Sequence, residues 1–132
     1  MPVMLHHTII ASYDKKASAE FFARIVGLDP PETSGGRFVT IHLANGVALD
    51  FDNLSNDPQS MHLASDVRSQ HYAFMVSEED FDGIFERIKA EGLAYWADPL
   101  RTIPMEINTR AGGRGLYFNG IEGHNFEVFT AH

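Results

Sequence analysis

The chain has 132 residues, 44% of them apolar and 21% charged, which suits one compact domain or two small modules sharing a core. It contains no cysteine, so disulfides and thiolate metal sites are excluded and any metal must sit on His, Asp or Glu. The net charge of −8 argues against nucleic acid or an anionic membrane as partner, and no run approaches the ~18 apolar residues of a membrane span.

Met-Pro-Val-Met-Leu-His-His, at the start, lacks the basic-then-apolar order of a signal peptide, so a cytoplasmic protein acting on a small molecule is expected. Val3–Ala11 reads as a strand. A helix follows, with Asp14 as N-cap and Ala17, Phe21, Phe22, Ile25 and Val26 at helical spacing, ended by Gly27. Arg37–Leu43 and Val47–Asp52 are strands about Asn45-Gly46, which predicts a two-residue hairpin turn. Residues 53–69 are polar and read as a connecting loop. Gln70–Val76 is again a strand. Ser77 with Asp80 resembles a capping box, and Phe81, Ile84, Phe85 and Ile88 give the buried stripe of a second helix ended by Gly92. A short extended piece at Tyr95–Ala97 and a loop of about fifteen residues lead to a closing hairpin around Asn119–Gly123.

The chain repeats itself. In each half a strand carrying a histidine, His7 or His71, leads into a helix, a Gly-Leu pair and a last hairpin strand carrying an acid, Asp50 or Glu127. Alternation places Glu127 opposite Phe126 and Val128, and His71 opposite Tyr72 and Phe74. With helices over the apolar sides, His71, Asp50, Tyr117 and Glu127 share the other face. Parity alone leaves the facing of His7 open. A mid-strand carboxylate such as Glu127 calls for a partner, either an arginine or a metal ion. Asp52, beside Asp50, reads as solvated, and His124 as part of a turn.

Leu5-His6-His7-Thr8-Ile9-Ile10 with Asp14, Phe21-Phe22 and Gly27-Leu28 resembles the first half of a vicinal oxygen chelate protein. His71-Tyr72-Ala73-Phe74, the Asp80–Gly92 helix, and Tyr117-Phe118 ten residues before Glu127 resemble its second half. That superfamily includes glyoxalase I, fosfomycin- and bleomycin-resistance proteins and extradiol dioxygenases. The resemblance implies an α+β fold in which two βαβββ modules form curved mixed sheets around a central metal cavity, with the helices outside. Residues 1–132 would then be a single domain of two modules, about 1–56 and 68–132, joined by the polar loop. It further implies a divalent metal held by His7, His71 and Glu127, with Asp50 as a candidate fourth ligand, and a homodimer. Fe(II) is favoured, with Mn(II), Zn(II) and Ni(II) as the other ions that suit imidazole and carboxylate. The turn departs from the family's Asp-Pro-Asp-Gly, reading Asn119-Gly120-Ile121-Glu122-Gly123.

Two imidazoles and a carboxylate leave coordination positions open for two neighbouring substrate oxygens. An extradiol-dioxygenase-like reaction is the first expectation, with Tyr117 donating to a substrate oxygen and His42 serving as an acid or base. Such enzymes usually supply a further histidine before the second ligand, for which His62 is the candidate. A glyoxalase-like lyase, isomerase or thiol transferase is the alternative, although Ala11 stands where glyoxalases place an arginine. A metal-free drug-sequestering protein is the third reading, against which all three ligand positions are retained. Trp96, Arg101, Arg110 and Arg114 are the candidate substrate-binding residues.

Overall fold

The computed structural model describes residues 2–32, 36–55 and 66–131. Its elements run β1 (His7–Ser12), α1 (Lys15–Val26), β2 (Val39–His42), β3 (Ala48–Asn53), β4 (His71–Met75), α2 (Glu78–Ala90), β5 (Tyr95–Trp96), a short 3₁₀ turn at Arg110–Gly112, β6 (Gly115–Asn119) and β7 (Asn125–Phe129). The chain folds as α+β in two compact units. One contains Met1–Arg24 and Asp29–Arg68, the other Ile25–Leu28 and Ser69–His132. Neither helix is long and apolar enough to cross a membrane.

The first unit holds a mixed sheet in the order β1-β3-β2, with β1 parallel and β2 antiparallel to β3. Asp14 Oδ1 accepts from the Ala17 amide at 3.1 Å, so the expected N-cap is formed. Ile10, Ile41, Leu49 and Phe51 point to one face, where Phe51 meets Phe22 of α1 at 6.2 Å between ring centroids. The fourth strand expected of this module is reduced, among the described residues, to one antiparallel bridge between Glu32 and Thr40.

The β2–β3 turn differs from the sequence expectation. The Gly46 amide donates to the Leu43 carbonyl at 3.0 Å, and Leu43 N to Val47 O at 2.8 Å. Only Gly46 has positive φ, at 86°. A two-residue type I′ turn needs both central residues there, so the loop is the three-residue Ala44-Asn45-Gly46, with Gly46 in the left-handed position.

The second unit is a complete four-stranded module in the order β4-β7-β6-β5, with β4 parallel to β7 and the other pairs antiparallel. Ser77 caps α2 by accepting the Asp80 amide at 3.0 Å. Phe81, Ile84 and Ile88 are fully buried with Leu116, Phe118, Phe126 and Val128 of the sheet. His124 lies in the β6–β7 turn, as expected, and is completely buried there. Its Nδ1 accepts from the Gln70 amide at 3.1 Å, and its ring meets Tyr72 edge-on at 5.5 Å. A buried imidazole with a backbone donor is a core element.

The two sheets repeat residue by residue. His7 pairs with Ala48 and Ile9 with Asp50, while His71 pairs with Asn125 and Ala73 with Glu127. Thr40 faces Asp50 as Tyr117 faces Glu127, and Glu32 bridges Thr40 as Trp96 pairs with Tyr117. Within each unit the histidine and the acid therefore occupy matching places on the sheet face turned away from the buried apolar side chains.

Candidate functional site

On β4, the alternation of Tyr72 and Phe74 with His71, Ala73 and Met75 puts the apolar pair on the buried face and His71 on the other. The adjacent β7 does the same, burying Phe126 and Val128 and presenting Glu127. The parallel register brings His71 Nε2 to 3.1 Å from Glu127 Oε1, with the side chains 46% and 21% exposed. Solvent, an ion or a substrate atom can therefore reach the pair. His71 Nδ1 lies 3.2 Å from the Asn125 carbonyl oxygen. A carbonyl and an ionised carboxylate both only accept, so a neutral ring can donate to one of them and sets the lone pair of its other nitrogen against the second. Two acceptors at that separation need something positive between them, a second ring proton or a metal ion.

Tyr117 lies beside this pair. Its ring is 5.9 Å from that of His71, and it stands directly opposite Glu127 across β6 and β7. Burial raises the phenol's pKa, the Glu127 charge adds to the rise, and Arg110 works against it. Trp96 follows on the same face from β5. The Arg101 guanidinium sits 6.0 Å from the Trp96 ring and its Nε donates to Asn119 Oδ1 at 3.0 Å. Arg101 takes a left-handed backbone, φ 60°, unusual for a non-glycine residue. Arg114 has the opposite parity. It bonds Asp82 at 2.8 Å and Glu78 at 3.3 Å, lies 4.5 Å from the Phe81 ring, and so belongs with α2.

His7 opens β1 in the first unit, exposed, and the register settles its facing. With Ile9 and Ala11 it shares the face of Asp50, opposite the buried Ile10 and Ser12. Its Nδ1 is 2.9 Å from His6 Nδ1, which leaves Nε2 as the candidate metal donor. Asp50 accepts the Thr40 hydroxyl at 2.7 Å. His42 also pairs with Ala48, from the other side, so it lies about 10 Å from His7 on the same face. Asp52, expected to be solvated, is 4% exposed and accepts from Arg37 Nε at 3.2 Å. A carboxylate that deep requires such a partner. His62 lies outside the described residues.

The sequence matches the Glyoxalase/Bleomycin resistance protein/Dioxygenase superfamily over residues 4–128. The chain belongs to that superfamily. Two solved structures resemble it over nearly its whole length. Oxidase ChaP-H1 is 44% identical, with a TM-score of 0.89 and coverage of 99% of this chain and 98% of the other. Oxidase ChaP-H2 is 47% identical, with a TM-score of 0.88 and coverage of 100% and 96%. The glutathione transferase FosA of Serratia marcescens is 29% identical over 130 residues, 94% of this chain and 78% of that protein.

Among the described residues, neither unit by itself gathers three or more His, Asp or Glu side chains that could hold a metal ion. The second unit does provide two donors of the right kind, an imidazole and a carboxylate, already set against each other. That donor chemistry fits a divalent ion in a member of this superfamily.

Two residues of the site escaped the sequence reading. The Asn125 carbonyl oxygen lies 3.2 Å from His71 Nδ1, and the Asn125 Oδ1 is buried with no hydrogen-bond partner among the described residues. Its place two residues before Glu127, on the same strand face, was the available signal. Asn108 ties the loop to β6 by a pair of backbone bonds with Gly115. No pattern in that loop's sequence marks it.

Proposed function

We propose that this chain is a divalent-metal-dependent oxygenase of small molecules, binding its substrate through two neighbouring oxygens in the manner of extradiol dioxygenases. The observation that carries the reading is the His71–Glu127 pair, an imidazole nitrogen and a carboxylate oxygen 3.1 Å apart on a partly exposed sheet face. His7 completes the ligand set, supplied by the same chain or by a second copy in a cytoplasmic homodimer, and Asp50 stands as an optional fourth ligand. When bound, the ion, Fe(II) by preference, supplies Lewis acidity and open positions for the substrate oxygens.

The chain's own residues do the rest. With Nε2 given to the ion, His71 would donate its Nδ1 proton to the Asn125 carbonyl, 3.2 Å away. Tyr117, opposite Glu127 across β6 and β7, donates its hydroxyl proton to a substrate oxygen, and Trp96 with Arg101 forms the wall against which the substrate lies. His42 is the candidate acid or base. Likeness to two proteins named as oxidases, at 44% and 47% identity, favours oxidation over the other chemistries of the superfamily. The 29% identity to a glutathione transferase keeps thiol transfer as the second reading.

The test is anaerobic reconstitution with Fe(II), then oxygen uptake with a panel of catechols, run beside thiol consumption with glutathione and electrophiles. Oxygen uptake that Glu127→Ala abolishes is the expected result. Thiol consumption without oxygen uptake would establish the transferase instead. Tight binding of a drug with neither activity would leave a sequestering protein.

A further inference from the structure

The start of the loop between β5 and β6 is folded back over the site face of the second unit. Trp96 bridges Pro104, the Ala97 amide donates to the Ile103 carbonyl at 3.0 Å, and the Met105 amide donates to the Tyr95 carbonyl at 2.8 Å. The Asp98 carboxylate stiffens this excursion by accepting from the Thr102 and Ile103 amides at 2.8 and 2.9 Å and from the Thr102 hydroxyl at 2.6 Å. Two side chains of the site face hold its tip. Asn125 Nδ2 donates to the Pro99 carbonyl at 3.2 Å, and Asn119 Oδ1 accepts from Arg101 Nε at 3.0 Å. Asn119 and Asn125 are partners across β6 and β7, each two residues from Tyr117 or Glu127 on the same face, and Asn125 pairs with His71 on its other side.

Arg101 is the residue this loop presents. Its backbone is left-handed, φ 60°, a strained conformation that a non-glycine residue keeps only where its surroundings impose it. Its side chain is exposed, 6.0 Å from the Trp96 ring, and held by Asn119 at Nε alone. Among the described residues neither Nη1 nor Nη2 meets a carboxylate, in contrast to Arg114, which bonds both Glu78 and Asp82. The edge left open is a planar pair of N–H donors, the fork that matches the two oxygens of a carboxylate. Asn119 and His71 stand two strand spacings apart, about 10 Å, so one small ring bearing a carboxylate reaches from Arg101 toward the His71–Glu127 pair.

We infer that Arg101 recognises a carboxylate, and that the substrate class is a small aromatic diol carrying one, with Trp96 against its ring. The strained backbone and the Asn119 bond fix the guanidinium before the ligand arrives, which lowers the cost of ordering it on binding. That the carboxylate belongs to a molecule with vicinal oxygens rests on the reading under Proposed function, whereas recognition of the anion by Arg101 does not.

The experiment compares two probes that differ only in the charge, 3,4-dihydroxybenzoate and catechol, at neutral pH. Trp96 is the chain's one tryptophan, so its indole N–H signal in NMR titrations of metal-free protein reports binding at this place. Wild type should bind the dihydroxybenzoate at least about tenfold more tightly than catechol, the worth of a charge-assisted bidentate pair. Arg101→Gln should erase that preference, and Arg101→Lys should keep part of it, because lysine supplies the charge without the fork. Asn119→Ala, which releases Nε, should weaken the preference less than Arg101→Gln. Equal binding of the two probes by wild type, a preference that survives Arg101→Gln, or bound dihydroxybenzoate that leaves the Trp96 signal unmoved would overturn the inference. Oxygen uptake by Fe(II)-loaded wild type is measured with the same two probes. No uptake with either would remove the oxygenase reading alone, and the metal-free titrations would still decide the role of Arg101.

Discussion

Gly112 and Gly113 are adjacent, yet the structure requires glycine at the two positions for different reasons. Gly112 has φ 80° and open space where a Cβ would stand. Gly113 has an ordinary φ of −119°, but a Cβ would meet Thr130 Oγ1 at 2.6 Å, the Ala131 amide nitrogen at 2.7 Å and Ala131 Cβ at 2.8 Å. Alanine at 113 must therefore push the end of β7 away by roughly 0.7 Å to reach ordinary contact. That movement strains two hydrogen bonds, Arg114 N to Thr130 Oγ1 at 2.8 Å and Thr130 N to Arg114 O at 2.9 Å. With about 1 kcal/mol for each bond and about 1–3 kcal/mol for overpacking, Gly113→Ala should lose about 3 kcal/mol and roughly 10 °C of Tm. Gly112→Ala should lose only the left-handed penalty, about 1–2 kcal/mol, and Gly112→Asn less. Urea unfolding gives the energies, and amide exchange at Thr130 shows where they arise. Gly113→Ala no more damaging than Gly112→Ala, or a Thr130 amide exchanging as in wild type, would refute the reasoning.

Three further outcomes follow from the fold. His124→Ala removes a fully buried ring and leaves the Gln70 amide without its acceptor, so denaturant unfolding should show a loss of about 3 kcal/mol; a loss below about 1 kcal/mol would mean the ring is dispensable. Ser77→Ala deletes the α2 cap and should cost about 1 kcal/mol, with Ser77→Asp close to wild type in the same assay. Asp98→Asn should lower Tm at neutral pH. The hydrogen bond from the Thr102 hydroxyl is the largest cause holding the Asp98 pKa below its ordinary value of 3.8, helped by the Ile103 and Thr102 amides. Stability from a depressed carboxylate is present above the unfolded value and disappears as pH falls through the folded one, so the Tm gap should narrow below pH 3.8. A gap constant with pH would separate the loss from ionisation.

What the sequence made legible was what periodicity and local chemistry control. Both helices, their caps at Asp14 and Ser77, and the faces of His71 and Glu127 follow from spacing alone. Alternation could not orient His7, because Ile9 and Ile10 are equally apolar; pairing with Ala48 and Asp50 on β3 settles it. His124 does lie in the turn, but a turn position in sequence says nothing about the Tyr72 and Phe126 rings that enclose it. Asp52 was misread because its partner Arg37 lies fifteen residues earlier, in a segment read only as a strand.

The central claim is that His71 and Glu127 are metal ligands, with His7 as the third. Metal analysis of protein purified without chelator, after anaerobic loading with Fe(II) and desalting, tests it directly across wild type, His7→Ala, His71→Ala and Glu127→Ala. A single ion retained by wild type and lost from each variant, with affinity at least about tenfold weaker, is the predicted result. Unchanged metal content in both His71→Ala and Glu127→Ala would contradict it.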